Sequence, residues 1–283
     1  MKDTNILIQN GVDLNKSLEL FGDMEMYDAT LNDFLNLVDK KLNSLESYKL
    51  TSNMPNYAIE VHSLKSDARY LGFTALADMS YESEMKSKAG DIMFVQENHP
   101  KIMAEARKMI NVAKKYLGMA VEDETGELQG TSTVAQPTSL VDAMTMAPTI
   151  MEPVGPPKDE AILVVDDSSL VANFIKKIFD YKYDVLIAND GQKAIDIVNS
   201  PQLSKIKCCL LDLNMPNVDG FQVLEYFKQN NIFVKLPVSI ISGVEDMNSL
   251  DRVYNYPIVD VLSKPFNERD IQRVIEKSLA AYF

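Results

Sequence analysis

Four positions of the C-terminal half carry matched chemistry where apolar runs stop. Residues 162–165 run into Asp166 and Asp167, and the run around Cys208 and Cys209 ends in Asp212. A third run, 238–241, leads into Ser242 and Gly243, and a run over 258–262 is followed by Lys264 and Pro265. Three carboxylates gathered at one place repel one another unless a cation sits among them, and ligands that are all oxygen suit Mg2+ with retained waters. Mg2+ and the Lys264 ammonium would neutralise an incoming phosphoryl group, leaving one carboxylate free to attack it. Asp212 is the candidate nucleophile. The Ser242 hydroxyl can hydrogen-bond a phosphoryl oxygen, and Gly243 leaves room beside it.

The elements that must position these groups follow from the pattern. Short apolar runs near 162, 185, 208, 238 and 258 alternate with helix-like stretches, which predicts parallel strands covered on both faces. In open parallel sheets binding sites form beyond the carboxyl ends of the strands. The expected fold of residues 160–283 is therefore an α/β doubly wound, five-stranded, flavodoxin-like sheet.

That half resembles the receiver domain of two-component response regulators. The resemblance rests on LVVDDS, LLDLNMPNVDG, IISG and LSKPF, with Ser242 and Lys264 lying 30 and 52 residues beyond Asp212. It implies that Asp212 is the phosphoacceptor and that Asp166, Asp167, Asp212 and the backbone carbonyl of Asn214 hold Mg2+. It implies too that Lys264 contacts the phosphoryl group and that the Ser242 hydroxyl moves towards it. Val261 stands where many receivers carry an aromatic switch residue.

The N-terminal half, residues 1–120, has a helical period throughout. Apolar positions from Tyr27 to Leu45, Tyr57 to Leu71, Phe73 towards Met85 and Ile102 to Tyr116 predict a four-helix bundle, with a lead-in helix near 14–21. On the second long helix Val61, Leu64, Ala68 and Leu71 form the core face. His62, Lys65, Ser66 and Arg69 share the neighbouring face, where the histidine is expected to reach solvent. The charge of Lys65 would favour a phosphorylated imidazole, and a small Ser66 would let a partner approach. The string HSLKSDARYLG resembles the signature of histidine phosphotransfer (HPt) domains, which implies that His62 is a phosphoacceptor. Glycine is common in that family where Ser66 stands. His99, which precedes Pro100, is given no role.

Between the halves, residues 121–159 are read as a flexible acidic linker rich in Pro, Thr and Met. Through position 160 this stretch has eight acids and one base. The whole chain has 28 Lys plus Arg against 41 Asp plus Glu, a formal charge of -13, which argues against nucleic acid or an anionic membrane as direct partner. Two adjacent cysteines suggest buried thiols in a reducing compartment, and no apolar stretch is long enough to span a bilayer, so a cytoplasmic protein is expected.

Together the resemblances imply a phosphorelay protein exchanging phosphoryl groups between Asp212 and His62, or between each and a sensor histidine kinase, another receiver or another HPt protein. Intramolecular docking of the bundle on the receiver would serve such exchange. The alternative is a phosphorylation-controlled binding switch or phosphate sink. A histidine kinase would need Gly-rich and Asn-bearing ATP motifs absent after His62, and a phosphatase of the haloacid dehalogenase type would need an aspartate where Asn214 stands.

Overall fold

The computed structural model describes residues 2–121, 158–243 and 251–281. The expected linker therefore lies almost wholly outside the described residues.

The N-terminal part is helical: α1 (Asn5–Ile8), α2 (Leu14–Phe21), α3 (Met24–Leu50), α4 (Met54–Tyr70), α5 (Thr74–Lys88) and α6 (Ile92–Leu117). The side chains of Asp13, Asp23, Asn53 and Asp91 each accept a backbone N–H of the first turn they precede, which fixes four of these starts. Tyr27, Leu31 and Phe34 of α3 meet Tyr57, Val61, Leu64 and Ala68 of α4, Leu76 of α5 and Ile102 and Ala106 of α6 in a buried core. The four long helices are those expected from the apolar period, although α6 begins earlier and carries Pro100 within it. The unforeseen α1 is one turn long.

Gly72 closes α4 at φ +72°, and a β-carbon there would lie 2.5 Å from the Asp13 carbonyl oxygen. Only glycine allows that approach. The Asp13 N–H donates to the Gly72 carbonyl at 2.8 Å, so α2 is tied to the end of α4.

The C-terminal part is the expected doubly wound sheet. Strands β1 (Ala161–Val165), β2 (Asp184–Ala188), β3 (Ile206–Asp212), β4 (Val238–Gly243) and β5 (Val261–Lys264) are all parallel, in the order β2-β1-β3-β4-β5. Helices α7 (Ser169–Phe179), α8 (Gly191–Val198), α9 (Gly220–Gln229) and α10 (Glu268–Ala280) cover its two faces. The fifth strand lies three residues later than the apolar run suggested. Residues 259 and 260 still bond to β4 through Val259 N–H to Val238 O and Ile240 N–H to Asp260 O.

The two parts meet along α7 and the turn after β5. Phe21 and Tyr70 of the bundle pack with Phe174 and Phe266 of the sheet part, the Phe21 and Phe174 ring centres 5.1 Å apart and those of Tyr70 and Phe266 5.7 Å apart. Apolar residues of both parts consequently form one continuous core. Polar contacts between described residues also cross the seam. Ser168 Oγ donates to Asp67 Oδ1 at 2.7 Å, the Phe266 N–H donates to the Tyr70 hydroxyl oxygen at 3.2 Å, and Lys177 Nζ lies 2.7 Å from Asp33 Oδ2.

Candidate functional site

Strand register brings the expected residues to one edge. Val165 pairs with Leu211, so Asp166 and Asp212 follow side by side, while Asp212 pairs with Ile241 and Gly243 pairs with Lys264. Asp166 and Asp212 are fully buried, Lys264 is 5% exposed and Ser242 2%, and Asp167 is partly exposed at the rim. Gly220, the first residue of α9, passes over this edge so closely that a β-carbon would lie 2.3 Å from the Asp212 carbonyl oxygen.

Carboxylate oxygens of Asp166, Asp167 and Asp212 all lie within 4.8 Å of one another. Lys264 Nζ donates to Asp212 Oδ2 and forms an ion pair with Asp166 Oδ2 at 2.7 Å. Backbone N–H groups of Ser168 and Asn214 donate to Asp166 Oδ1 and Asp212 Oδ1. Burial, opposed by Lys264 and reinforced by Asp212, pushes the Asp166 carboxyl up to about 6. Burial and the charges of Asp212 and Asp166 push Asp167 well above the usual carboxylate range. Burial would lower Lys264, but the charges of Asp166, Asp212 and Asp167 outweigh it and hold the ammonium well above its ordinary value. Three acids facing one ammonium are a cation short, and three carboxylates with oxygens this close make an all-oxygen donor set that fits Mg2+. Asn214 lies in the loop beyond β3, half-buried beside the cluster.

The expectation that His62 reaches solvent is corrected: it is 5% exposed, because the receiver covers the polar face of α4. Lys65 and Ser66 are buried with it. His62 Nδ1 lies 2.7 Å from Glu84 Oε1, Lys65 Nζ donates to Glu84 Oε2 at 2.7 Å, and Lys88 Nζ donates to Oε1 at 2.7 Å. Burial alone would raise the Glu84 carboxyl, yet the hydrogen bonds and charges of His62 and Lys65 hold it well below the usual range. Glu84, on α5, was not singled out in the sequence; the polar positions Ser80, Ser83, Glu84 and Ser87 along that helix are the signal that marks it.

Two small adjoining cavities lie at the seam. One of about 10 Å³ is lined by His62, Lys65, Ser66 and Arg69 of the bundle with Gly243, Lys264 and Pro265 of the receiver side. The other, of about 50 Å³, is lined by His62, Lys65, Tyr81 and Glu84 with Asn214 and Gly243. The candidate histidine thus faces the edge that holds the candidate aspartate. His99 is buried within α6 between Tyr57 and Glu46, away from these cavities.

Comparison with known proteins agrees with this geometry in the C-terminal part. The family described as "Response regulator receiver domain" matches residues 162–276. The C-terminal part is a response regulator receiver domain. Chemotaxis protein CheV1 of Helicobacter pylori is 29% identical over 132 residues, 43% of this chain and 38% of that protein. Transcriptional regulatory protein CpxR of Escherichia coli K12 is 30% identical over 113 residues, 39% of this chain and 45% of that protein. The chain thus spans less than half the length of either relative. A solved response regulator receiver domain protein from Clostridium thermocellum aligns over 43% of this chain and 95% of its own, at 23% identity and a TM-score of 0.40. A receiver domain implies two-component signalling with phosphorylation on an aspartate. No described helix is long and apolar enough to cross a membrane.

Proposed function

We propose that Asp212 and His62 are successive carriers of one phosphoryl group, the receiver and an HPt-like bundle forming a relay within a single chain. The observation that carries this reading is the seam itself: His62 shares the walls of two cavities with Gly243, Lys264 and Asn214, and the last two bond to Asp212. The Glu84 carboxylate faces Nδ1 of the imidazole, which leaves Nε2 as the nitrogen assigned to carry the phosphoryl group. Transfer breaks the P–N bond at Nε2 and forms a P–O bond to a carboxylate oxygen of Asp212; the reverse step exchanges the same two bonds and needs no further reactant. The seam holds donor and acceptor together, which removes much of the entropy cost of their encounter.

Lys264 and Lys65 supply positive charge on the two sides of the path, favouring the phosphoryl group in flight and on the imidazole respectively. Ser242, buried at the end of β4, is assigned the hydroxyl that bonds a phosphoryl oxygen. Mg2+ bound by Asp166, Asp167, Asp212 and the Asn214 carbonyl would neutralise phosphoryl oxygens at Asp212. The outside donor or acceptor is a histidine kinase, another receiver or another phosphotransfer protein.

A binding switch without onward transfer is the second reading, favoured by the burial of Asp212 beneath the bundle. Labelled acetyl phosphate with Mg2+ separates the two. In a relay, acid-labile, alkali-stable histidine label forms in wild type and is lost in both Asp212→Ala and His62→Gln. In a switch, all label is acyl phosphate on Asp212, and His62→Gln leaves its amount unchanged.

A further inference from the structure

We infer that the seam between bundle and receiver is a closed gate that shuts outside phosphodonors away from Asp212, and that loading from outside requires it to open. The gate does not depend on the relay; it deepens that reading by making the closed arrangement the transfer state and the open one the loading state.

Asp212 and Asp166 have no exposure, and the spaces between His62 and the receiver edge amount to about 10 and 50 Å³. A water needs at least ~10–15 Å³ measured in this way, so the space between His62 and the receiver edge admits one to a few waters; the larger cavity of about 340 Å³ on the far side of α4 reaches Lys264 and Pro265 and is not lined by Asp212. A helix of another protein bearing a phosphohistidine has no path to Asp212 while α4 occupies that place.

The closure has two parts of different chemistry. Its apolar part is the ring cluster of Phe21, Tyr70, Phe174 and Phe266, half from each side. Its polar part includes two clasps. Asp67 lies five residues beyond His62 on α4 and accepts from both the Lys41 ammonium and the Ser168 hydroxyl. Ser168 caps α7, and its own N–H donates to Asp166, so this clasp is tied directly to the acid pocket. The outer clasp is the ion pair of Asp33 on α3 with Lys177 on α7, only partly shielded from water and distant in sequence from every group assigned to the chemistry. Mixed seams of this kind open more readily than obligate apolar cores.

The outer clasp allows a test that leaves the chemistry untouched. Initial rates of label incorporation from acetyl phosphate with Mg2+ are measured on the full chain for wild type, Asp33→Lys, Lys177→Asp and the double swap. A partly exposed pair contributes modestly to closure, and like charges in its place shift the balance further the same way. Each single reversal is expected to raise the rate about 2- to 10-fold, and the swap to return it to the wild-type value. Phe21→Ser, which removes one bundle ring while leaving the receiver intact, is expected to raise it further, with helix content checked by circular dichroism. Equal or slower rates in the folded single variants and Phe21→Ser overturn the gate, and a swap that stays fast overturns the clasp. If the rates rise while no variant forms histidine label, the gate stands and the relay falls.

Discussion

Glu84 Oε1 lies 2.7 Å from Nδ1 of His62, and the same carboxylate takes the ammonium groups of Lys65 and Lys88. One buried acid thus holds His62 and two ammonium groups, and in the proposed relay it orients the imidazole. Glu84→Ala removes both services. Appearance of label on histidine is expected to slow by roughly 10²-fold, the low end for a positioned acid–base group. Loss of the buried acceptor that His62 and Lys65 share is expected to cost about 1–3 kcal/mol by denaturant unfolding. Glu84→Gln keeps an acceptor for Nδ1 and is expected to recover a large part of the rate.

Lys264 is the ammonium that faces three acids. Lys264→Met is expected to abolish detectable phosphorylation of Asp212 from acetyl phosphate. It is also expected to strengthen the dependence of thermal stability on Mg2+, since the carboxylates then lack their internal counter-charge. Melting temperatures with and without Mg2+ check the second outcome independently of activity.

Asp166 binds its proton more tightly folded than unfolded, with the folded value raised to about 6. The sign follows from linkage. Its stabilising contribution is complete below the ordinary Asp value of about 3.9 and is lost as pH rises through about 6. Without Mg2+ the receiver is therefore expected to lose stability between pH 4 and 7, and the rise in melting temperature on adding Mg2+ is expected to be larger at pH 8 than at pH 5. Differential scanning calorimetry at the two pH values reads this directly; an equal Mg2+ effect at both would contradict it.

A β-carbon on Gly220 would meet the Asp212 carbonyl oxygen at 2.3 Å. Gly220→Ala is expected to cost about 1–3 kcal/mol, as overpacking of a tight contact does, and to slow phosphorylation by displacing the acceptor strand. His99→Ala is the contrasting case. It leaves the Tyr57 hydroxyl unpaired, with an expected loss of about 1–3 kcal/mol but an unchanged rate of Asp212 phosphorylation.

The acids, the serine and the lysine at the sheet edge were legible because each ends an apolar run, and parallel register carries run ends to one side. The bundle was legible because its core residues repeat at the helical period. The burial of His62 was not. Its face of α4 is polar, and a polar stripe reads as a solvent face unless a second surface is known to cover it. Asp67, Lys41 and Ser168 escaped notice for a related reason: Asp67 and Ser168 are 101 residues apart, and no local pattern connects them. The polar residues along α5 hinted at Glu84, but its partners on α4 are set only by helix packing.

A pulse and chase tests the relay most directly. Wild-type protein is loaded briefly with labelled acetyl phosphate and Mg2+, the donor is removed, and the label is followed by its acid and alkali stability. The expected result is acyl phosphate first, with acid-labile, alkali-stable label rising as it falls, at a rate independent of protein concentration. Label that leaves Asp212 only as inorganic phosphate, with none passing through His62, would contradict the relay.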